Sequence, residues 1–128
     1  MDSNKELTLK SRERWISFFN HLFTDSDEMW NLYSISSRLI LALNPKSIAS
    51  TGYTLDELKI TPIERIYPES ELLKLGAVFQ NLKSQFISKD DLRFFTKSGN
   101  LKEVTIRASL LSEEPELICL VKTAERKT

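Results

Sequence analysis

Residues 44–58 read NPKSIASTGYTLDEL and contain the start signals of two short helices. Asn44 is a favourable N-cap because its side-chain oxygen can accept a hydrogen bond from a free N–H of the first turn, and Pro45 suits the next position, where no N–H donor is needed. Gly52 fits the left-handed residue that ends a helix. Thr54, with a glutamate three residues later, has the pattern of a capping box. The segment therefore predicts two short helices that directly follow an apolar, strand-like run.

The same residues resemble the beginning of a PAS domain, a small α/β sensor module. In that family a strand ending in Asn-Pro is followed by a short helix, Gly-Tyr and Thr-x-Asp-Glu-Leu. Three later segments are similar to family motifs in the same order. They are residues 66–69 (family Ile-His-Pro-Glu), 97–99 (family Lys-Asp-Gly) and 121–127 (family Val-x-Asp-Ile-Thr-Glu-Arg-Lys). The resemblance spans about residues 28–127.

The hydrophobic patterns along the chain predict an α+β fold. Apolar residues recur at helical spacing over residues 10–23 and 69–86. The predicted strands are residues 32–35, 39–43, 91–96, 101–111 and 117–121. Strands placed on both sides of a helical block imply an antiparallel sheet that is covered on one face. Together with the resemblance, this predicts a PAS-like five-stranded antiparallel sheet with a helical block on one face and an N-terminal amphipathic helix.

The first helix is unusually aromatic, and we assign it to an N-terminal helical extension, residues 1–27, ahead of a PAS-like domain, residues 28–128. Its apolar residues cover a wide arc, and an exposed patch of that kind usually marks an interface. PAS relatives often dimerise through a helix that precedes the first strand. We therefore predict a symmetric homodimer; the alternative is that the helix packs only on its own sheet. The predicted interface residues are Trp15, Phe18, Phe19, Leu22 and Phe23.

Composition excludes several classes of function. The chain has 128 residues, enough for one domain with one core. Its 18 basic and 18 acidic residues cancel, so nothing indicates the basic face that nucleic acid requires. One cysteine excludes an internal disulfide and fits a reducing cytosol. No apolar run reaches the about 18 residues of a membrane span. We predict a cytoplasmic domain without a membrane span that does not itself bind nucleic acid.

No catalytic or metal-binding arrangement is recognisable, and we predict that the domain is not an enzyme. The single histidine, His21, cannot form a triad or a two-histidine metal site by itself. Cys119 lies in an apolar strand, where an unreactive thiol is expected. The three glycines form no phosphate-binding loop. We interpret Glu113, Glu114 and Glu116 as a solvated loop.

The resemblance also indicates which cofactors to expect. PAS relatives that bind flavin covalently carry Asn-Cys-Arg-Phe-Leu-Gln in the helical block, and this chain has no cysteine there. Haem-binding relatives commonly use a histidine of the long helix, and residues 69–86 contain none. No cofactor is therefore expected, although a noncovalent small organic ligand or flavin stays compatible with the sequence.

In PAS domains the inner face of the sheet and the helical block enclose a cup. Plain core packing is the simpler interpretation of the residues that would line it here. The polar residues considered as ligand contacts are Ser34, Thr105 and Arg107, but strand alternation places the last two opposite Ile106, outside the cup. The candidate ligand-binding residues are Ile40, Ala42, Tyr53, Leu75, Phe79, Phe94, Ile106 and Ala108.

Two functions follow from the resemblance. The first is a sensory PAS module of a signal-transduction protein of bacterial type, which binds a small ligand or a partner and regulates an output domain through dimerisation. That output domain, covalently linked or separate, could be a histidine kinase, a diguanylate cyclase or a transcription factor. The alternative is a ligand-free PAS-like module for dimerisation or docking.

Overall fold

The computed structural model describes residues 2–126, with side chains described from residue 5 onward. Within that part of the chain, four α-helices accompany five β-strands. In chain order they are α1 Asp2–Phe23, β1 Met29–Ser34, β2 Leu39–Leu43, α2 Pro45–Thr51, α3 Leu55–Leu58, α4 Leu72–Gln85, β3 Ile87–Phe95, β4 Leu101–Ser112 and β5 Ile118–Glu125. Two short 3-10 turns, Ile63–Ile66 and Glu69–Glu71, connect α3 to α4.

The strands form one antiparallel sheet with the order β2-β1-β5-β4-β3. The last strand therefore lies in the middle, between β1 and β4, and joins the strands before the helical block to those after it. This confirms the predicted α+β class with a five-stranded antiparallel sheet. None of the described helices is both long and apolar enough to cross a membrane.

The predicted start signals of α2 and α3 are confirmed. The Asn44 side chain accepts a hydrogen bond from the Ser47 N–H at 3.1 Å. Gly52 follows α2 with φ of 82°, which is left-handed backbone. Thr54 and Glu57 form both hydrogen bonds of a capping box. Local hydrogen bonds thus position the two helices where the residue pattern places them.

The sheet separates two apolar clusters. The larger one lies between the sheet and the helical block, and includes Leu58, Leu82 and Val104. The smaller one lies on the opposite face, where α1 covers Leu32 and Ile118. The helix α1 is longer than predicted, since it begins at Asp2 instead of residue 10. Both faces of the sheet are therefore covered, one by the helical block and the other by α1.

Candidate functional site

A small cavity lies in the larger cluster, between the sheet and the helices α2 and α3. Three of the predicted cup residues, Ile40, Tyr53 and Phe94, line it. The Tyr53 hydroxyl donates a hydrogen bond to the Phe95 carbonyl oxygen at 2.9 Å, which joins this lining residue to the end of β3. A cavity therefore lies between the sheet and the helical block, and three of the eight residues predicted for the cup line it.

The cavity is small for a ligand site. Its volume is about 40 Å³, enough for on the order of one to three water molecules. Sites for organic ligands typically occupy about 300–1,000 Å³. Side chains such as Leu58, Ile63 and Ile66 take up the space that a ligand would need. A flavin ring system does not fit into the cup in this conformation.

One polar atom faces this cavity without a partner. Asn31 on β1 lines the cavity, and its Oδ1 is buried with no hydrogen-bond partner among the described residues. A buried carbonyl oxygen without a partner destabilises a fold by about 1–3 kcal/mol. A water molecule in the cavity could supply the missing hydrogen bond, and the volume suits it.

Four further predicted cup residues belong to the packed core. Leu75 and Phe79 come from α4, and Ile106 and Ala108 come from β4. All four are buried in the cluster between the sheet and the helices. The core-packing interpretation thus describes Ile106 and Ala108 well, whereas Leu75 and Phe79 also line a groove at the protein surface.

The prediction that Ala42 lines the cup is wrong. Ala42 packs on the opposite face of the sheet, in the cluster under α1. The pairing register explains the reversal: Leu32 pairs with Ala42, but the next residue, Tyr33, pairs with Ile40. Leu41 is therefore the extra residue of a β-bulge, which shifts the alternation of side chains along β2.

The polar cup candidates also lie elsewhere. Ser34 donates a hydrogen bond to Glu116 Oε2 at 2.7 Å. Thr105 donates to Asp91 Oδ1 at 2.6 Å, and Arg107 is exposed. As the strand alternation predicted, neither Thr105 nor Arg107 lines the cavity.

The predicted interface residues of α1 divide into two groups. Phe19 is only 1% exposed and packs on the chain's own sheet. Trp15 and Phe23 are half-buried against the same cluster, and the ring centroids of Phe23 and Trp30 are 4.4 Å apart. Phe18 and Leu22 remain 44% and 52% exposed. Only this last pair offers a largely free apolar surface, so Phe19 belongs to the fold of the single chain.

A buried ion pair anchors α1 to the sheet. Arg12 Nε and Nη2 donate to the two carboxylate oxygens of Glu116 at 2.6 and 2.7 Å, and Ser34 donates to the same carboxylate. Burial opposes the charged form of Glu116, but the hydrogen bonds from Arg12 and Ser34 outweigh it and lower its pKa. The same pair raises the pKa of Arg12.

The interpretation of Glu116 as part of a solvated loop is therefore wrong, although Glu113 and Glu114 are exposed as expected. The pattern of the loop does not distinguish the three glutamates. The helical spacing of α1 does predict that Arg12 is on the buried side, because Arg12 precedes Ile16 by four residues and Phe19 by seven. Arg12 thus points to the buried side of α1, and a cation there requires an anion.

No catalytic group is recognisable in the described part of the chain. His21 is exposed on α1, and Cys119 is buried in β5. Burial raises the pKa of the Cys119 thiol, which disfavours the reactive thiolate. Residues 5–126 contain no group of three histidine, cysteine or acidic side chains that could hold a metal ion.

Several solved structures share this architecture. A PAS domain from a two-component sensor histidine kinase has a TM-score of 0.72 and 15% identity, covering 89% of this chain and 98% of that one. A PAS domain of an HTR-like protein from Haloarcula marismortui has a TM-score of 0.70 and 17% identity, covering 93% and 98%. The chain has the PAS fold. The LOV protein of Rhodobacter sphaeroides has a TM-score of 0.75 and 13% identity, covering 89% of this chain and 68% of that one.

These identities are low, and the likeness is one of fold. No protein-family model matches the sequence, and no curated protein matches it. Within the PAS fold, the helical block of this chain encloses a nearly filled cup, and α1 covers the outer face of the sheet. Those two features, rather than the likeness itself, are the basis of a functional proposal.

Proposed function

We propose that this PAS domain is a cytoplasmic signalling module that regulates an output domain or partner protein through its surface, as a homodimer joined by α1. The observation that carries the proposal is the exposed apolar side of α1, a helix whose other side is fixed to the sheet. A similar fold in a sensor histidine kinase supports a signalling role. Of the two functions that the sequence suggests, the geometry favours the ligand-free dimerisation or docking module.

Exposed apolar side chains form an interrupted stripe along α1, with the exposed Arg14 between Leu7 and Phe18. Leu7, Phe18 and Leu22 are 56%, 44% and 52% exposed, and their spacing of eleven and four residues places them on one side of the helix. The stripe extends about 22 Å along the helix axis. A two-fold axis that crosses α1 would pair this stripe with its copy, as symmetric dimers require.

The Arg12–Glu116 pair makes this surface suitable for transmitting a signal. It holds α1 against the start of β5, the middle strand of the sheet. A change in packing within the sheet would therefore reach α1 directly, and through α1 the partner. The near absence of free volume in the cup favours a change imposed by a protein partner over one imposed by an organic ligand.

Sedimentation of single-site variants tests the dimer. Phe18→Glu places a charge on the exposed stripe, and it should give a folded monomer with a nearly unchanged melting temperature. Leu73→Glu on α4, where the side chain is 89% exposed, is the matched control and should remain dimeric. Phe19→Glu should instead unfold the domain, because its side chain is 1% exposed within the chain itself. A wild-type protein that sediments as a monomer at high concentration would refute the dimer.

Absorbance of the purified protein tests the role of the cup. A filled cup should give a protein without visible absorbance, since neither haem nor flavin has space there. A flavin band or a Soret band in stoichiometric amount would overturn this part of the proposal and favour the ligand-binding sensor.

A further inference from the structure

One edge of the sheet is formed by β3, which pairs with β4. At one end of this pair the Leu110 N–H donates to the Phe86 carbonyl oxygen at 2.8 Å. At the other end the Thr96 N–H donates to the Asn100 carbonyl oxygen, also at 2.8 Å. The pairing between these ends is regular, so the even-numbered residues of β3 bond to β4. The odd-numbered residues therefore direct their N–H and carbonyl groups to the open edge of the sheet.

The second half of this edge is closed by side chains from the helical block. The carboxylate of Glu71, a residue that is 4% exposed, accepts a hydrogen bond from the Arg93 N–H at 2.7 Å. Lys74 donates to the Asp91 carbonyl oxygen at 3.4 Å. The Tyr53 hydroxyl covers the end of the strand through its bond at 2.9 Å. These contacts protect the second half of β3 against pairing with another strand.

The first half of the same edge is open. No described residue forms a hydrogen bond with the edge-directed N–H and carbonyl groups of Ile87 and Lys89. The Ile87 side chain is 65% exposed, and that of Phe86, just ahead of the strand, is 56% exposed. The helix α1 packs over β1 and β2, away from this edge. Four backbone groups are therefore available to two residues of an added strand.

Two unpaired cations lie on the outer face beside this open half. Lys89 is directly opposite Arg107 in the pairing of β3 with β4, which places their Cβ atoms about 4.5–5.5 Å apart. Both side chains are exposed, and neither forms an ion pair with a described residue. Like charges that are directly opposite each other destabilise a sheet. An anion that contacts both side chains would remove this repulsion.

The neighbouring carboxylates on this face are engaged with other groups. Glu28 pairs with Lys122 at 3.0 Å. Asp91 accepts a hydrogen bond from Thr105 at 2.6 Å and lies 3.6 Å from Arg126. An anion for the two unpaired cations would therefore come from another molecule.

We propose that the open half of β3 binds an extended acidic segment of a partner protein as an added antiparallel strand. The segment exchanges backbone hydrogen bonds with Ile87 and Lys89, as peptides do at other exposed sheet edges. An acidic residue opposite Lys89 also faces Arg107, and an apolar residue two positions later covers Ile87. A second copy of β3 is a poorer match, because self-pairing would bring two such cation pairs to one face. The site does not rest on the proposed dimer, since α1 lies elsewhere on the sheet.

Titration with the peptide acetyl-Ser-Thr-Glu-Thr-Val-Thr-Ser-amide tests the proposal. Its glutamate and valine lie on one face of a strand, in the order that antiparallel pairing with β3 requires. In NMR spectra the amide resonances of residues 87–89 should shift saturably, with a Kd of about 1 mM or below. Replacement of the peptide glutamate by glutamine should weaken binding about threefold. Absence of a saturable shift at about 5 mM peptide would overturn the site.

N-methylated peptides test the backbone pairing separately from the charge. A methyl group on the valine nitrogen removes an N–H that is directed to β3, and it should abolish binding. The same group on the threonine between glutamate and valine removes an N–H that points away from β3. This matched peptide has the same composition and should retain binding within about threefold. Equal affinities of the two methylated peptides would contradict the added strand.

Variants of the protein locate the binding. Lys89→Gln combined with Arg107→Gln should reduce the affinity for the glutamate peptide to that for the glutamine peptide, whereas Lys46→Gln on α2 should change neither. Phe18→Glu, which tests the dimer, should bind the peptide like the wild type, so the two proposals can fail separately. Unchanged affinity in the double variant would contradict the assigned cations. Shifts of residues 87–89 with protein concentration alone would mean that a second copy pairs there, and would overturn the assigned partner.

Discussion

Arg12 on α1 and Glu116 ahead of β5 form a two-point ion pair between residues that are 104 positions apart in the sequence. The Glu116 side chain is 4% exposed and that of Arg12 is 25% exposed. Ser34 completes the hydrogen bonding of the carboxylate. The pair therefore connects the first helix to the middle strand of the sheet through a contact that excludes most of the solvent.

Removal of one partner should destabilise the domain strongly. Arg12→Ala leaves the Glu116 carboxylate buried without its cation, and we expect a loss of about 2–4 kcal/mol in the free energy of unfolding. The double variant Arg12→Ala/Glu116→Gln should recover part of that loss, because no charge then remains buried. Urea denaturation measures both values. Asp56→Ala, which removes a partner from the exposed pair with Lys59, is the control and should change stability by less than about 1 kcal/mol.

Stability should also depend on pH through Glu116. Its folded pKa lies below the ordinary value of 4.5, so the ion pair contributes its full stability above that pH. The contribution is lost as the pH falls below 4.5 and through the folded pKa, where the carboxylate accepts a proton. Melting temperatures recorded between neutral and acidic pH should therefore fall more steeply for the wild type than for Glu116→Gln. Parallel curves for the two proteins would contradict this role.

Asn44 should matter more than an ordinary N-cap. Besides capping α2, its Oδ1 accepts from the Trp30 N–H, and its Nδ2 donates to the carbonyl oxygens of Phe23 and Glu28. Its role as an N-cap alone predicts that Asn44→Ala lowers the free energy of unfolding by about 1 kcal/mol. With four hydrogen bonds lost at a site that is 1% exposed, we expect about 3 kcal/mol.

The variant Asn44→Asp distinguishes the acceptor role of the side-chain oxygen from the donor role of the side-chain nitrogen. Aspartate retains the acceptors but cannot donate to the carbonyl oxygens, and it places a charge beside them. Thermal melts should therefore show Asn44→Asp to be destabilised as well. A stability equal to that of the wild type would mean that only the cap is important.

Two glycines should respond to alanine in opposite directions. Gly52 has φ of 82°, and an added Cβ would lie 3.2 Å from the Lys97 Cβ, so Gly52→Ala should destabilise the domain by about 1–2 kcal/mol. Gly76 lies inside α4 with free space around it, and Gly76→Ala should stabilise the domain by up to about 1 kcal/mol. Differential scanning calorimetry of the two variants checks the direction of each change in melting temperature. Equal changes in the two variants would contradict the role assigned to the backbone conformation of Gly52.

Much of the fold could be predicted from the sequence because its signals are local. The caps at Asn44 and Thr54 act over three or four residues, and the alternation along β4 and the spacing along α4 directly indicate element type. The order of these elements, with the motifs between them, indicated the PAS fold. The first helix was also predicted, although its start at Asp2 was not, since the polar first turns lack apolar periodicity.

The remaining features required the tertiary structure because each depends on residues far apart in the chain. The bulge at Leu41 arises from pairing with β1, and it moves Ala42 out of the cup. The stripe of α1 contains both Phe18 and Phe19, but only docking on the sheet makes one exposed and the other buried. Composition and periodicity of a single segment determine which residues can be buried. The volume left in the cup and the partner of Glu116 are decided by how distant segments pack together.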